Sequence, residues 1–296
     1  MSQASIFDNI IQLPDPSLKA KAERLIGFEK RFSRVFGNLK LLLDHESLQS
    51  WSKEHHKIEL PILNSITDRY PLVILEGDAG TGKTVSAEAI ADRMVRSLDK
   101  EGFFLKLSTR VRGEGLHGEM GKLVNDAFER LKTEAGKKRL AFLLIDEADA
   151  IATTRSTMQM HQEEKAAVNT LIQKIDEVRE LKGRAIIFMS TNRLHFLDEA
   201  IVRRAALVMT FERPDFTERK ELFQKELEGL GLNDYELNTL AEATGAEAND
   251  GLGFSFSDLR LKILPEAIAK AYPKEPLTFN ILKETIQAIK PSPQIK

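Results

Sequence analysis

An apolar run, Leu72 to Leu75, leads directly into GDAGTGKT at residues 77–84, and an amphipathic pattern follows it. A buried strand, a glycine-rich turn and a helix in that order leave few choices of fold. The spacing is GxxxxGK[ST], and each residue type has a mechanical reason to be there. Gly77, Gly80 and Gly82, with Asp78, Ala79 and Thr81 between them, let backbone N–H groups turn inward around an anion. Lys83 brings a positive charge to the β- and γ-phosphates, and the Thr84 hydroxyl is placed to hold Mg²⁺. A helix starting near Gly82 aims its positive end at the same phosphates. The expected ligands are ATP and Mg²⁺.

The 296 residues suffice for one large or two modest domains. Basic and acidic residues nearly balance, at a net charge of −2, which argues against a general nucleic-acid or membrane-surface binder. There is no cysteine, so disulfides, thiolate catalysis and Cys-ligated metals are excluded, and a cytoplasmic location is expected. The longest apolar runs are far too short to span a bilayer, and the N-terminus lacks the pattern of a signal peptide.

Along the chain, residues 1–15 read as an irregular arm that ends at Pro14 and Pro16, and 17–69 read as helical. Apolar runs at 72–75, 103–107, 140–145, 185–190 and 206–211 alternate with amphipathic segments. That alternation predicts an α/β fold with a parallel sheet covered on both faces. After Pro214 no strand is expected, and helices are expected near 215–229, 234–244, 255–271 and 278–289. The domain reading is an arm and helix over 1–24, a large nucleotide-binding domain over 25–213 and a small helical lid over 214–296.

Three further stations follow the loop. LAFLLIDEAD, residues 140–149, is a buried strand that delivers Asp146 and Glu147 at its carboxyl end, the edge where open α/β sheets bind ligands. Asp146 would help hold Mg²⁺ and Glu147 would polarise the attacking water. A second such strand ends in Asn192, which could hold that water beside the γ-phosphate. Arg203 and Arg204 stand just before the last apolar run, and arginine is suited to neutralising a phosphoryl group in flight. Elsewhere, the adjacent His55 and His56 lack metal-ligand spacing, residues 137–139 (KKR) read as a basic loop, and Trp51 reads as packing.

Taken in order, GDAGTGKT, LLIDE, STN, LDEAIVRR and a tail with GFSFSDLR resemble the AAA+ ATPases from about residue 25 to 290. Local strings around Gly121–Val124, Val168–Asp176, Glu199–Ala205 and Gly253–Pro265 are similar to the pachytene checkpoint protein family. Its members remodel HORMA-domain partners, and one branch sits in bacterial antiphage operons of the cyclic-oligonucleotide type. The resemblance implies a sheet of five parallel strands in the order 5-1-4-3-2. It also implies a homohexamer, because arginines such as Arg203 and Arg204 act in the neighbouring subunit's site and every head-to-tail interface must repeat. Asn192 becomes the γ-phosphate sensor, and Ile26 with Gly27 the segment that packs on adenine. Leu116 and His117, in a glycine-rich loop, match the pair that grips a threaded peptide, although neither is aromatic here. The implied partners are a HORMA-domain protein and a cyclic-oligonucleotide synthase, with no membrane.

Two departures stand out. Where the family places an arginine after the lid's Gly-x-Ser, this chain has Ser257, and Arg260 three residues on is the candidate to replace it. The family's eukaryotic relatives carry a folded recruiting domain before the core, and none is expected in the residues that precede the phosphate-loop strand here. Two other readings compete with a protein remodeller: an AAA+ motor on nucleic acid, disfavoured by the even charge, and a non-hydrolysing scaffold, disfavoured by intact Lys83, Asp146, Glu147 and Arg203.

Overall fold

Each apolar run identified in the sequence is a strand in the computed structural model, which describes residues 6–108, 119–152 and 162–294. The strands are β1 (Phe7–Leu13), β2 (Leu72–Gly77), β3 (Gly102–Leu107), β4 (Leu140–Ile145), β5 (Ala185–Thr191) and β6 (Leu207–Phe211), in one sheet of order β1-β3-β4-β5-β2-β6. Omitting β1, this is the expected five-strand order, and the β3–β4, β4–β5 and β5–β2 pairs are parallel.

The sixth strand corrects the sequence reading. Residues 7–13, expected as irregular arm, run antiparallel to β3 from Phe7 opposite Leu107 to Leu13 opposite Gly102, so the sheet is mixed. Only Phe7 and Leu13, at the two ends, are buried, and this strand lacks the clean alternation that reveals an edge strand. Its role is to cover the open edge of β3. The chain then turns into α1 (Pro16–Arg24), where Pro16 takes the first turn and Asp15 accepts from the N–H groups of Ser17 and Leu18.

The chain forms two compact units, one of Met1–Glu76 with Thr84–Thr210, the other of Gly77–Lys83 with Phe211–Lys296. The first holds the sheet except Gly77 and Phe211, together with α1, α2 (Phe28–Leu43), α3 (His45–His56), α4 (Ile62–Thr67), α5 (Lys83–Ser97, all but its first residue), α6 (Glu119–Ala135), α7 (Gln162–Val178) and α8 (Glu199–Val202). Alternation in the central strands sets what faces what. Leu105, Leu143 and Ile187 point to one side, where Phe128 and Leu131 of α6 and Leu171 and Ile175 of α7 close over them, all fully buried. Each such side chain contributes about 1.5–3 kcal/mol by leaving water. Phe104, Phe142 and Phe188 have the opposite parity, and the last two stack at 6.3 Å. Outside the core, α6 and α7 are joined by Glu129, Lys132, Lys174 and Glu177, whose charges alternate at 2.6–3.1 Å.

The second unit carries the four helical segments expected after Pro214. These are α9 (Phe216–Glu226), α10 (Asp234–Ala243), a segment from α11 (Phe256–Asp258) through a π-helical stretch (Leu259–Ile263) to α12 (Leu264–Ala271), and α13 (Phe279–Ala288). Capping boxes open the first three, from Asp215, Asn233 and Ser255. The wide turn has a local reason: Pro265 has no N–H to donate four residues back.

Asp258 is the polar centre of this unit. Its side chain is 1% exposed and accepts from Ser255, Ser292 and Lys262. Burial opposes its charge, but those donors outweigh burial and hold the carboxyl far below its usual value of 3.8. A depressed folded-state pKa adds stability that is complete above the ordinary carboxylate range and is lost as pH falls below it. Asp258→Asn should therefore cost about 2–3 kcal/mol at neutral pH. The gap in melting temperature between variant and wild type should shrink on titration below about pH 4.

Candidate nucleotide site

In the second unit, the phosphate loop is shaped by close approach. Gly77 has φ +140°, and a Cβ there would lie 2.1 Å from the Phe211 carbonyl oxygen. Gly80 has φ +74°, and its Cβ would meet the Ser257 Cβ at 2.6 Å and the Ser255 hydroxyl at 2.8 Å. Only glycine fits either position. Thr81 donates its hydroxyl to the Asp78 carbonyl, and Lys83, almost buried, donates from Nζ to the carbonyls of Gly77 and Asp78 at 2.8 Å. Ser257 donates its backbone N–H to the Gly80 carbonyl at 3.1 Å. Thus the residue at the family's lid-arginine position reaches the loop through its backbone. Arg260 instead donates from Nε to Glu226 at 2.9 Å.

In the first unit, Asp146 leaves β4 with the parity of Phe142 and Leu144. Ser190 at the end of β5 and Lys106 near the end of β3 share that face. The Asp146 carboxylate accepts from the Thr84 hydroxyl at 3.0 Å and from the Ser190 hydroxyl, and pairs with Lys106 Nζ at 3.2 Å. Burial disfavours its charge, but Ser190, Lys106 and Thr84 together hold its pKa below the ordinary value. Glu147, next in sequence, is exposed and sits in the left-handed region at φ 50°, an unfavourable backbone for a residue with a Cβ. That conformation turns the chain sharply at the strand end, into a short 3-10 turn over Ala148–Ala150. Asp149 of that turn accepts from the Thr191 hydroxyl at 2.9 Å, so β4 and β5 are tied together just past the sheet edge. Asn192 follows β5 directly.

Thr84 and Asp146 are hard oxygen donors already within hydrogen-bond distance. They suit Mg²⁺, which uses one or two protein oxygens and takes the rest from phosphate and water. Sequence reading missed Lys106 in this cluster. Its signal was a lone charge inside the apolar run FFLKL of β3. A cation on Asp146 opposes a second cation there. Lys106→Met should lower the Mg²⁺ concentration that half-saturates nucleotide binding by about fivefold, equivalent to ~1 kcal/mol. A fluorescent-nucleotide titration against Mg²⁺ would check this, and an unchanged midpoint would remove Lys106 from the site.

The two arginines have different surroundings. Arg203, at the end of α8, has a side chain 80% exposed and pairs with the equally exposed Glu199 at 3.2 Å. Arg204 places Nε and Nη2 on the Asp176 carboxylate at 2.6 and 3.1 Å and lies 5.4 Å from the Tyr70 ring centre. Arg179 lies 4.7 Å from the same ring centre. Ile26 is buried, and Gly27, at φ 67°, opens α2. Leu116 and His117 lie outside the described residues.

A family model, "ATPase family associated with various cellular activities (AAA)", matches residues 73–213. CD-NTase-associated protein 6 of Escherichia coli (strain KTE188) is 46% identical over 99% of this chain and 98% of its own. The protein of that name from strain MS 115-1 is 38% identical over 97% and 95%. The chain belongs to the CD-NTase-associated protein 6 family of AAA ATPases. Among solved structures, a chain of the E. coli MS115-1 HORMA:CdnC:Trip13 complex superposes with a TM-score of 0.90 at 35% identity, each chain covered in full. Rhizobiales Trip13 gives 0.75 at 32% identity, over 97% and 99%. C. elegans PCH-2 shares the fold at 21% identity and a TM-score of 0.71, over 94% and 74%. Family membership makes the chain a nucleotide-binding ATPase. Among the described residues, no helix is long and apolar enough to cross a membrane.

Proposed function

We propose that this ATPase is a protein remodeller that partly unfolds or disassembles a HORMA-domain partner complex. In doing so it restrains a cyclic-oligonucleotide synthase of a bacterial antiphage system. The observation that carries the reading is the end-to-end likeness to the chain solved in the HORMA:CdnC:Trip13 complex. The working form is a cytoplasmic homohexamer, with a large domain over 25–213, a lid over 214–296 and an arm over 1–24.

In each turnover the residues have distinct tasks. The loop amides and Lys83 hold the triphosphate. Thr84 and Asp146 would hold Mg²⁺, which when bound draws charge from the phosphate oxygens. Glu147 polarises the attacking water and Asn192 positions it. Arg203 and Arg204 serve the neighbouring subunit's site, Arg203 by reaching outward and Arg204 from its seat on Asp176. Ile26 and Gly27 meet the adenine. ATP and ADP states that differ in affinity for a peptide held at Leu116 and His117 would then move it.

The test is turnover with purified candidates. A HORMA-domain protein supplied with its synthase should raise the ATPase rate several-fold, whereas DNA should leave it unchanged. Stimulation by DNA alone would favour a nucleic-acid motor.

A further inference from the structure

The second residue of the phosphate loop is an acid. A loop built to cradle an anion carries, at Asp78, a carboxylate that would repel it. The structure shows what cancels that charge. Asp78 is 8% exposed, and its Oδ1 accepts from the Ala79 N–H at 2.8 Å. Its Oδ2 accepts twice from Arg213, from Nε at 2.7 Å and from Nη2 at 2.5 Å. The guanidinium is then filled out by two carbonyls of the same unit, Gly253 to Nη1 at 2.6 Å and Ser292 to Nη2 at 2.8 Å. Ser292 is in turn fixed on Asp258. Arg213 has only 12% of its side chain exposed and Asp78 only 5%, so water screens the pair little.

We propose that Arg213 is a positioning residue for the nucleotide: it neutralises Asp78 within the phosphate loop and so sets the loop's affinity for a polyphosphate. The inference rests on the nucleotide binding that comes with the family and needs no particular protein partner. Only arginine has the planar fork to meet a carboxylate and two carbonyls at once; lysine would supply the charge without the geometry. A pure tether between loop and lid predicts that removing either end of the pair has the same effect. Charge cancellation predicts opposite effects. Without Arg213 the loop keeps the Asp78 negative charge with no guanidinium to offset it, and without Asp78 the loop has one negative charge fewer.

The test is binding of a fluorescent ADP analogue to the full-length chain without metal, with melting curves alongside. A like charge beside a bound anion, at an effective dielectric of about 20, weakens binding by about tenfold or more. Arg213→Ala should therefore raise Kd by about tenfold or more, and Arg213→Lys by about threefold or less. Asp78→Asn should lower Kd, because the Arg213 guanidinium then stands beside the loop without its carboxylate partner, and Asp78→Asn added to Arg213→Ala should bring Kd back to within about threefold of wild type. The proposal is overturned if Asp78→Asn weakens binding as Arg213→Ala does, or if the double variant fails to recover. Should Arg213→Ala not fold, the single Asp78→Asn variant still decides between charge and tether.

Discussion

Glu147→Gln should bind ATP as tightly as the wild type and hydrolyse it at least ~100-fold more slowly. Glutamine keeps the size of the side chain and its left-handed backbone, so the strand end at φ 50° keeps its shape. What is lost is an exposed carboxylate at the end of β4. Asp146, beside it, is already committed to Thr84, Ser190 and Lys106, and its pKa is held low. Two adjacent acids are thus placed in different surroundings, one suited to a cation and one to water. Single-turnover hydrolysis with a parallel binding titration separates the two effects. Normal turnover in the variant would refute the assignment of Glu147, and weakened ATP binding would mean that the side chain supports the loop instead.

Arg203→Ala should leave nucleotide binding intact and lower hydrolysis by at least ~100-fold, because an arginine serving a phosphoryl group in trans commonly contributes that much or more. Its exposed side chain, paired only with an exposed Glu199 in the contacts described, costs little fold stability when removed. Arg204→Ala should lose hydrolysis too, but with a lowered melting temperature, since it strips the Asp176 carboxylate of a bidentate partner. Mixing distinguishes a trans role from a local one. Rings that combine Arg203→Ala subunits with Glu147→Gln subunits should regain measurable turnover at interfaces where an intact Glu147 meets an intact Arg203. If mixtures stay inactive at every ratio, Arg203 does not act across subunits.

Legibility of the chain followed the strength of its patterns. The central apolar runs needed no tertiary information, because a strand buried on both faces is apolar at nearly every position, as all six residues of β4 are. Strand β1 was missed for the opposite reason: four of its seven residues are exposed, so its identity depends on the partner edge of β3. The glycine loop and the acid pair were legible because they are contiguous. Lys106, Ser190 and Arg213 act at a distance in sequence, and each joins its carboxylate only through sheet register or the fold of the second unit. The Asp78 in GDAGTGKT was visible as a loop residue. Its charge became significant only once Arg213, 135 positions on, was seen to hold it.

The most direct test of remodelling is a substrate trap. Tagged Glu147→Gln protein, loaded with ATP in extract of its native cells, should retain a HORMA-domain protein, alone or with its cyclic-oligonucleotide synthase, and release it when ADP replaces ATP. Mass spectrometry of the retained material reads the result. Retention of DNA, or of proteins that include no HORMA domain and do not depend on ATP, would contradict the account.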